Sequence, residues 1–231
     1  MLQPVSAGAV ARVDRRHVRR AETIEQLVDV AVEVMSENGV AGLTLGEVAR
    51  RMGMRTPSLY GYFDSKNAVY DAVFARGWRE VLKLTERHPE PERDADLPGY
   101  LLNVAEDFTR WSVEHPVYSQ LMIWRPVPGY EPSADAYQLA VAELEQPRKV
   151  LARMQRAGLF RGDVPVDELV RVWTAVTGGV ISQQLANAPH EPYESGSFTT
   201  LLPQVVSMYC AHYAPVRPSH SRRRGRHGSE G

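Results

Sequence analysis

Apolar positions along this chain recur at three- and four-residue spacing, the period of a helix face, and never alternate over a useful length. Over 23–38 the stripe is Ile24, Leu27, Val28, Ala31, Val34 and Met35. Thr23 and Gln26 have the spacing of a capping box at its start, and Asn38-Gly39 offers a left-handed stop at its end. TLGEVARRMG reads as a helix of about two turns, opened by Thr44 with Glu47 and closed by Gly53. MRTPSLYGYF begins again, with Thr56 as N-cap and Pro57 at the first helical position. DSKNAVYDAVFARGWREVLKLTERH opens on Asp64 or Ser65 and continues as a long amphipathic helix through Val69, Val73, Val81 and Leu84. PEPERDADLP is the linker that follows.

Beyond the linker the same period continues. Leu101, Val104, Ala105, Phe108 and Trp111 share one face, and a short piece follows around 118–124. After the loop RPVPGYEPS comes a helix over 134–157, in which Pro147 should force a kink or a restart near Gln146. Residues 166–187 and 197–213 form the last two helices. With no strand pattern and no internal repeat, the fold class is all-α.

Composition narrows the class. A chain of 231 residues with 43% hydrophobic residues can bury a real core without a metal or disulfide staple. Its lone Cys210 cannot close an intramolecular bridge, which fits a reducing, cytoplasmic setting. The stretch 172–189 is uncharged, but its threonines, glutamines, serine and asparagine make it too polar for a spanning helix, so no membrane is expected. The opening residues lack the apolar block of a secretory signal.

Net charge is only −1, but it is unevenly spread. The first twenty residues carry Arg12, Arg15, Arg16, Arg19 and Arg20 against Asp14, a net +4. The last fifteen carry five arginines against Glu230, another +4, which leaves 21–216 with 17 basic and 26 acidic residues. Basic ends on an acidic globule suit contact with a polyanion, and suit idle solvated tails equally. The final segment has no apolar residue to anchor it and reads as disordered.

The two short helices, with Val48, Ala49, Met54, Leu59 and Phe63 converging on the stripe of 23–38, have the arrangement of a helix-turn-helix. That packing leaves Ser58, Tyr60, Gly61 and Tyr62 pointing outward. Hydroxyls and aromatics with little bulk suit phosphates, base edges and thymine methyls. Gly61 costs about 1 kcal/mol of helix propensity, a loss that close approach to a groove wall would justify. Helical hairpins also occur in many proteins that never touch DNA.

The segment GVAGLTLGEVARRMGMRTPSLYGYFDSKNAVYDAVF resembles the N-terminal domain of the TetR family of one-component transcriptional regulators, in the order and spacing of LYxYFxSK above all. HPVYSQLMIW and VWTAVTGGV are similar to an actinobacterial subgroup of that family. The resemblance implies a three-helix DNA-binding domain over 21–72, an effector-binding and dimerisation domain over 73–213, a flexible basic arm over 1–20 and a disordered basic tail over 214–231. It places Thr44 at a phosphate, and Thr56, Pro57, Ser58 and Tyr62 at recognition positions in the major groove. Tyr60 and Lys66 would clamp the backbone, while Arg55 would read a guanine or hold a phosphate. The arm would reach DNA, in the minor groove by one reading.

The partners so implied are a double-stranded DNA operator, a second copy of the chain and a small-molecule effector, with no cofactor. A homodimer needs a surface, and Leu169, Val176 and Val180 with Leu202, Val205 and Tyr209 would supply it as a four-helix bundle. Any one of these residues serves equally well as intramolecular core. Gly178-Gly179, in mid-helix, would permit close helix approach or line a cavity. Phe108, Trp111, Tyr118, Met122, Trp124, Tyr137, Trp173 and Thr177 are the candidate wall of a pocket for a mostly apolar effector. The expected role is a repressor released by its effector. The rival roles are an activator, a ligand-independent architectural protein and an enzyme. HExxH, CxxC, GxSxG and glycine-rich phosphate loops are all missing from the sequence, and no catalytic or metal-ligating set is expected.

Overall fold

The computed structural model describes residues 7–215, with side chains from residue 15 onward. Residues 1–6 of the expected arm and 216–231 of the expected tail lie outside that range. The helices are α1 (Ala7–Asn38), α2 (Leu45–Arg51), α3 (Thr56–Leu59), α4 (Lys66–Thr85), α5 (Leu97–Glu114), α6 (Pro116–Ser119), α7 (Ala134–Arg156), α8 (Val166–Asn187) and α9 (Leu202–Tyr213). A π-helical turn, Gln120–Trp124, continues α6. No strand occurs among the described residues.

Several boundaries differ from the sequence expectation, each for a local reason. The first helix does not start at Thr23: it already runs from Ala7, and the Thr23 hydroxyl donates back to the Arg19 carbonyl instead of capping. Between Gly8 and Gly39 nothing in the sequence breaks a helix, so residues 7–20, expected as part of the arm, continue the helix. α3 is shorter than expected: Arg55 is its N-cap, Thr56 and Pro57 are the first two helical residues, and turns carry the chain on to Phe63. α7 passes through Pro147 without restarting, which leaves the Glu143 carbonyl without its helical N–H partner. The last helix begins at Leu202 because Thr199–Leu201 winds as a 3-10 turn.

Other signals appear as structure. Thr44, extended at φ −129°, accepts the Glu47 amide on its hydroxyl at 3.3 Å, and Ser65 accepts from Ala68 at 3.1 Å. Gly53 closes α2 at φ +64°, where a side chain would be strained.

Two apolar cores result. One joins Leu27, Ala31 and Met35 of α1 to Val48 and Ala49 of α2, Leu59 of α3, Phe63 and Tyr70, Val73 and Phe74 of α4. It also takes in Leu121, Met122, Ala136 and Ala140 from the later helices, so it draws on both sides of residue 72. The other packs Leu101 and Ala105 of α5, Leu151 and Met154 of α7, Trp173 of α8 and Val206 of α9. α7 therefore contributes its first half to one core and its second half to the other, and α4 packs more extensively against α7 than against any other helix.

α4 is the element that spans the molecule. Twenty residues at 1.5 Å each make it about 30 Å long. At its middle, Gly77 is buried where α4 meets the π-helical turn: a Cβ there would lie 2.4 Å from Met122 Sδ and 3.0 Å from Tyr118 Cδ1. A larger residue there would require the Met122 side chain to move aside and would crowd the Tyr118 ring. Arg76 ties the same helix to α1 through Asp29, and Asp71 accepts from the Tyr130 hydroxyl and the Ser133 amide, which pins the start of α7.

Candidate nucleic-acid interface and internal cavity

The helix-turn-helix is held from behind by fully buried Val48, Ala49 and Leu59, with Phe63 nearly so. Truncating a buried leucine costs about 2–5 kcal/mol, so Leu59 strongly fixes how α3 is presented. Glu47 completes the scaffold: Arg50 and Arg51 both hydrogen-bond its carboxylate, which holds its pKa down at about 2. Arg51 reaches back to Glu37 of α1 as well.

The expected contact residues lie on one stretch of chain and differ in exposure. Thr44, Arg55, Pro57, Ser58 and Tyr60 are exposed, Tyr60 at 51%, while Thr56, Tyr62 and Lys66 are half-buried. Lys66, in the first turn of α4, donates to the Ala41 carbonyl at 3.3 Å and lies 5.4 Å from the Tyr70 ring centre. The loop before α2 and the start of α4 thus share one cation.

The sequence also underrated one contact. Arg20 of α1 donates to the Gly61 carbonyl at 3.0 Å and lies 5.3 Å from the Tyr62 ring centre. The N-terminal helix therefore rests on the turn after α3, with Arg16 and Arg19 exposed nearby in sequence. Helical continuity of α1 is the signal that would have revealed it.

A cavity of about 260 Å³, partly open to solvent beside exposed Leu144 and Thr174, lies where α4, α5, α7 and α8 meet. Of the expected wall, Phe108, Met122, Trp173 and Thr177 do line it. Trp111 does not: it is buried against His115 and Tyr118, with ring centres 4.9 Å and 5.9 Å apart, and Tyr118 is taken up in that stack. Trp124 is 38% exposed and donates to the Ser182 hydroxyl at 2.8 Å. Tyr137 is also exposed, 5.6 Å from the Arg125 guanidinium. An aromatic ring on a helix reads alike whether it faces a cavity, a neighbour or solvent, so periodicity could not sort these four.

The wall contains residues the sequence did not single out. Trp78 of α4 and Glu143 of α7 are among them, and Gly178 of α8, one of the glycine pair that the sequence offered for a cavity, lines it as well. The Thr85 hydroxyl donates to Glu143 Oε1 at 2.8 Å, while Glu143 Oε2 and Trp78 Nε1 are buried with no hydrogen-bond partner in the structure. Burial pushes the Glu143 carboxyl up to about 6.

The expected dimer surface divides in two. Leu169 and Leu202 are fully buried, and Tyr209 is buried with its hydroxyl donating to the Leu169 carbonyl at 2.9 Å. Leu169 and Leu202 are intramolecular core, because α8 and α9 pack on each other through them, whereas Tyr209 both packs between the two helices and lines the groove beside them. Val176, Val180 and Val205 line an open apolar groove together with Leu201 and Met208, the latter 63% exposed. Gly178 faces the cavity and Gly179 the groove, and a Cβ at either would meet nothing within 4 Å.

Comparison with known proteins agrees with this architecture. Residues 27–73 match the family described as bacterial regulatory proteins, tetR family, and residues 101–204 match the tetracyclin repressor-like C-terminal domain. The chain is 26% identical over 176 residues to the Escherichia coli tetracycline repressor protein class C, covering 76% of this chain and 73% of that protein. It is 23% identical over 124 residues to the HTH-type transcriptional regulator Rv1816 of Mycobacterium tuberculosis, where it spans about half of either protein, 54% and 53%. Among solved structures, the transcriptional regulator FadR from Bacillus subtilis in complex with stearoyl-CoA has a similar fold, with a TM-score of 0.67 at 15% identity over 81% of this chain and 97% of that one. No helix among the described residues is long and apolar enough to cross a membrane.

Proposed function

The chain belongs to the TetR family of DNA-binding transcription regulators, which are not enzymes, and from that premise we propose that it is a repressor released from its operator by a small, mostly apolar effector. The carrying observation is the course of α4. Its first turn holds Lys66 beside the helix-turn-helix, and its second half presents Trp78 to the cavity and Thr85 to Glu143. A ligand that shifts the cavity wall acts on the same rigid rod that carries the DNA-contact face.

In this reading residues 21–72 form the DNA-binding domain and 73–213 the effector and dimerisation domain, with α4 common to both. Thr44, Arg55, Thr56, Pro57, Ser58, Tyr60, Tyr62 and Lys66 contact DNA, and Arg20 steadies the turn that follows α3. A one-turn reading helix specifies few base pairs, so two copies are needed, on half-sites about 34 Å apart. The second copy covers the groove of α8 and α9, where exposed Met208 and Leu201 and the bare Gly179 favour close helix contact.

Effector binding then favours a separation of the two heads that mismatches the operator. A coupling of about 1–3 kcal/mol changes DNA affinity about 5- to 150-fold. FadR carries stearoyl-CoA in its own structure. The cavity here, at the low end of ligand-pocket volumes, suits a far smaller molecule.

The test is titration of small molecules into the protein bound to a fluorescent duplex taken from its mapped genomic sites. Release by a cavity-binding compound is expected. Constant operator affinity in the presence of every compound that fills the cavity would end the linkage.

A further inference from the structure

The polar chemistry of the cavity is more specific than its apolar wall. A ligand pocket gains selectivity from the few polar atoms it leaves open, because a buried polar group without a partner is costly. Two of the residues lining this cavity each carry a buried polar atom without a partner, an indole N–H on Trp78 and a carboxylate oxygen on Glu143. One is a donor and the other an acceptor. The other Glu143 oxygen is already engaged by Thr85, and among the described residues no cation pairs with this carboxylate.

We propose that the cavity takes a small lipophilic amine, whose protonated nitrogen donates to Glu143 Oε2 and whose neutral oxygen or nitrogen accepts from Trp78 Nε1. The rings of Phe108 and Trp173 supply apolar and cation-attracting faces for the remainder of the molecule. An acid of the same shape would set two anions together in a desolvated site and be rejected. The proposal rests on the reading of this cavity as the effector site. It adds a route for coupling, since the carboxylate that grips the amine also holds the last turn of α4 through Thr85.

Isothermal titration of the full chain near pH 7.5 with 4-phenoxybutylamine, 4-phenoxybutanol and 4-phenoxybutyric acid tests it. These share one skeleton and one ether acceptor and differ only in the end group. The amine is expected to bind at least about tenfold tighter than the alcohol, about one charge-assisted hydrogen bond's difference, and the acid weakest. In Glu143→Gln the preference for amine over alcohol should collapse to within about threefold while the alcohol still binds. Trp78→Phe should weaken amine and alcohol by the same factor.

Acid binding as tight as amine, a preference that survives Glu143→Gln, or no binding by any of the three would overturn the proposal. The regulatory reading separates cleanly from it. Glu143-dependent amine binding that leaves the operator complex intact would support the amine site and sink the linkage. Equal binding of amine and alcohol, both releasing operator, would do the reverse.

Discussion

Replacing Glu143 by glutamine should change how the stability of this protein depends on pH. In an exposed chain the carboxyl titrates at 4.5, and burial raises it to about 6 in the folded protein. Between those values the folded state keeps a proton that the unfolded chain has lost, so stability falls as pH rises. The contribution is fully present below 4.5 and gone above 6. At about 1.4 kcal/mol per pH unit, the 1.5-unit gap amounts to about 2 kcal/mol in all. Of this, about 1.3 kcal/mol is lost between about pH 5 and about pH 8.

The glutamine variant has no such proton. Any constant difference in packing or hydrogen bonding between the two proteins drops out of the comparison across pH. Urea unfolding at several pH values, at one fixed protein concentration because dimers gain stability with concentration, gives the two curves. The wild type should lose about 1.3 kcal/mol relative to Glu143→Gln from low to high pH. Curves parallel to within about 0.3 kcal/mol would show that the carboxyl is well solvated, and both the cavity's polarity and its ligand class would need rethinking.

Five further substitutions probe three separate regions. Ser58→Ala and Arg55→Ala should alter which bases are preferred in a binding-site selection, whereas Tyr60→Phe should weaken specific and nonspecific DNA binding together. Met208→Glu, on the open groove, should convert dimer to monomer in sedimentation and leave the helical circular dichroism unchanged. Gly178→Leu projects into the cavity, where a Cβ meets no atom within 4 Å; calorimetry should show loss of 4-phenoxybutanol binding, with operator affinity retained and about 1 kcal/mol of added helix stability.

The sequence carried the helix-turn-helix well because that motif is written in local signals. Thr44, Gly53 and Ser65 each perform a capping or turning role that needs only neighbours in the chain, and Leu59 and Phe63 follow from helical period alone. The tertiary choices were less legible. Whether Leu202 or Val205 faces the outside of the α8 and α9 pair depends on a few tens of degrees of helix rotation, which an apolar stripe does not encode. Trp111, Tyr118, Trp124 and Tyr137 failed as cavity residues for the same reason. Glu143 and Trp78 escaped notice because a glutamate on a mixed helix reads as solvated until a packed neighbour removes its water. The length of α1 was misjudged because a Thr-x-x-Gln pattern mimics a helix start inside a helix, where the Thr23 hydroxyl simply bonds the preceding turn.

The claim on which the whole account depends is that the segment from Arg55 to Tyr62 reads DNA in a twofold complex. Selection of the full chain against random duplex DNA, read by sequencing, addresses it directly. The account predicts one enriched palindrome with half-sites about one helical turn apart, and loss of the central preference when Ser58→Ala is selected in parallel. Equal recovery of all sequences, or an enriched site that is identical for wild type, Ser58→Ala and Arg55→Ala, would contradict it.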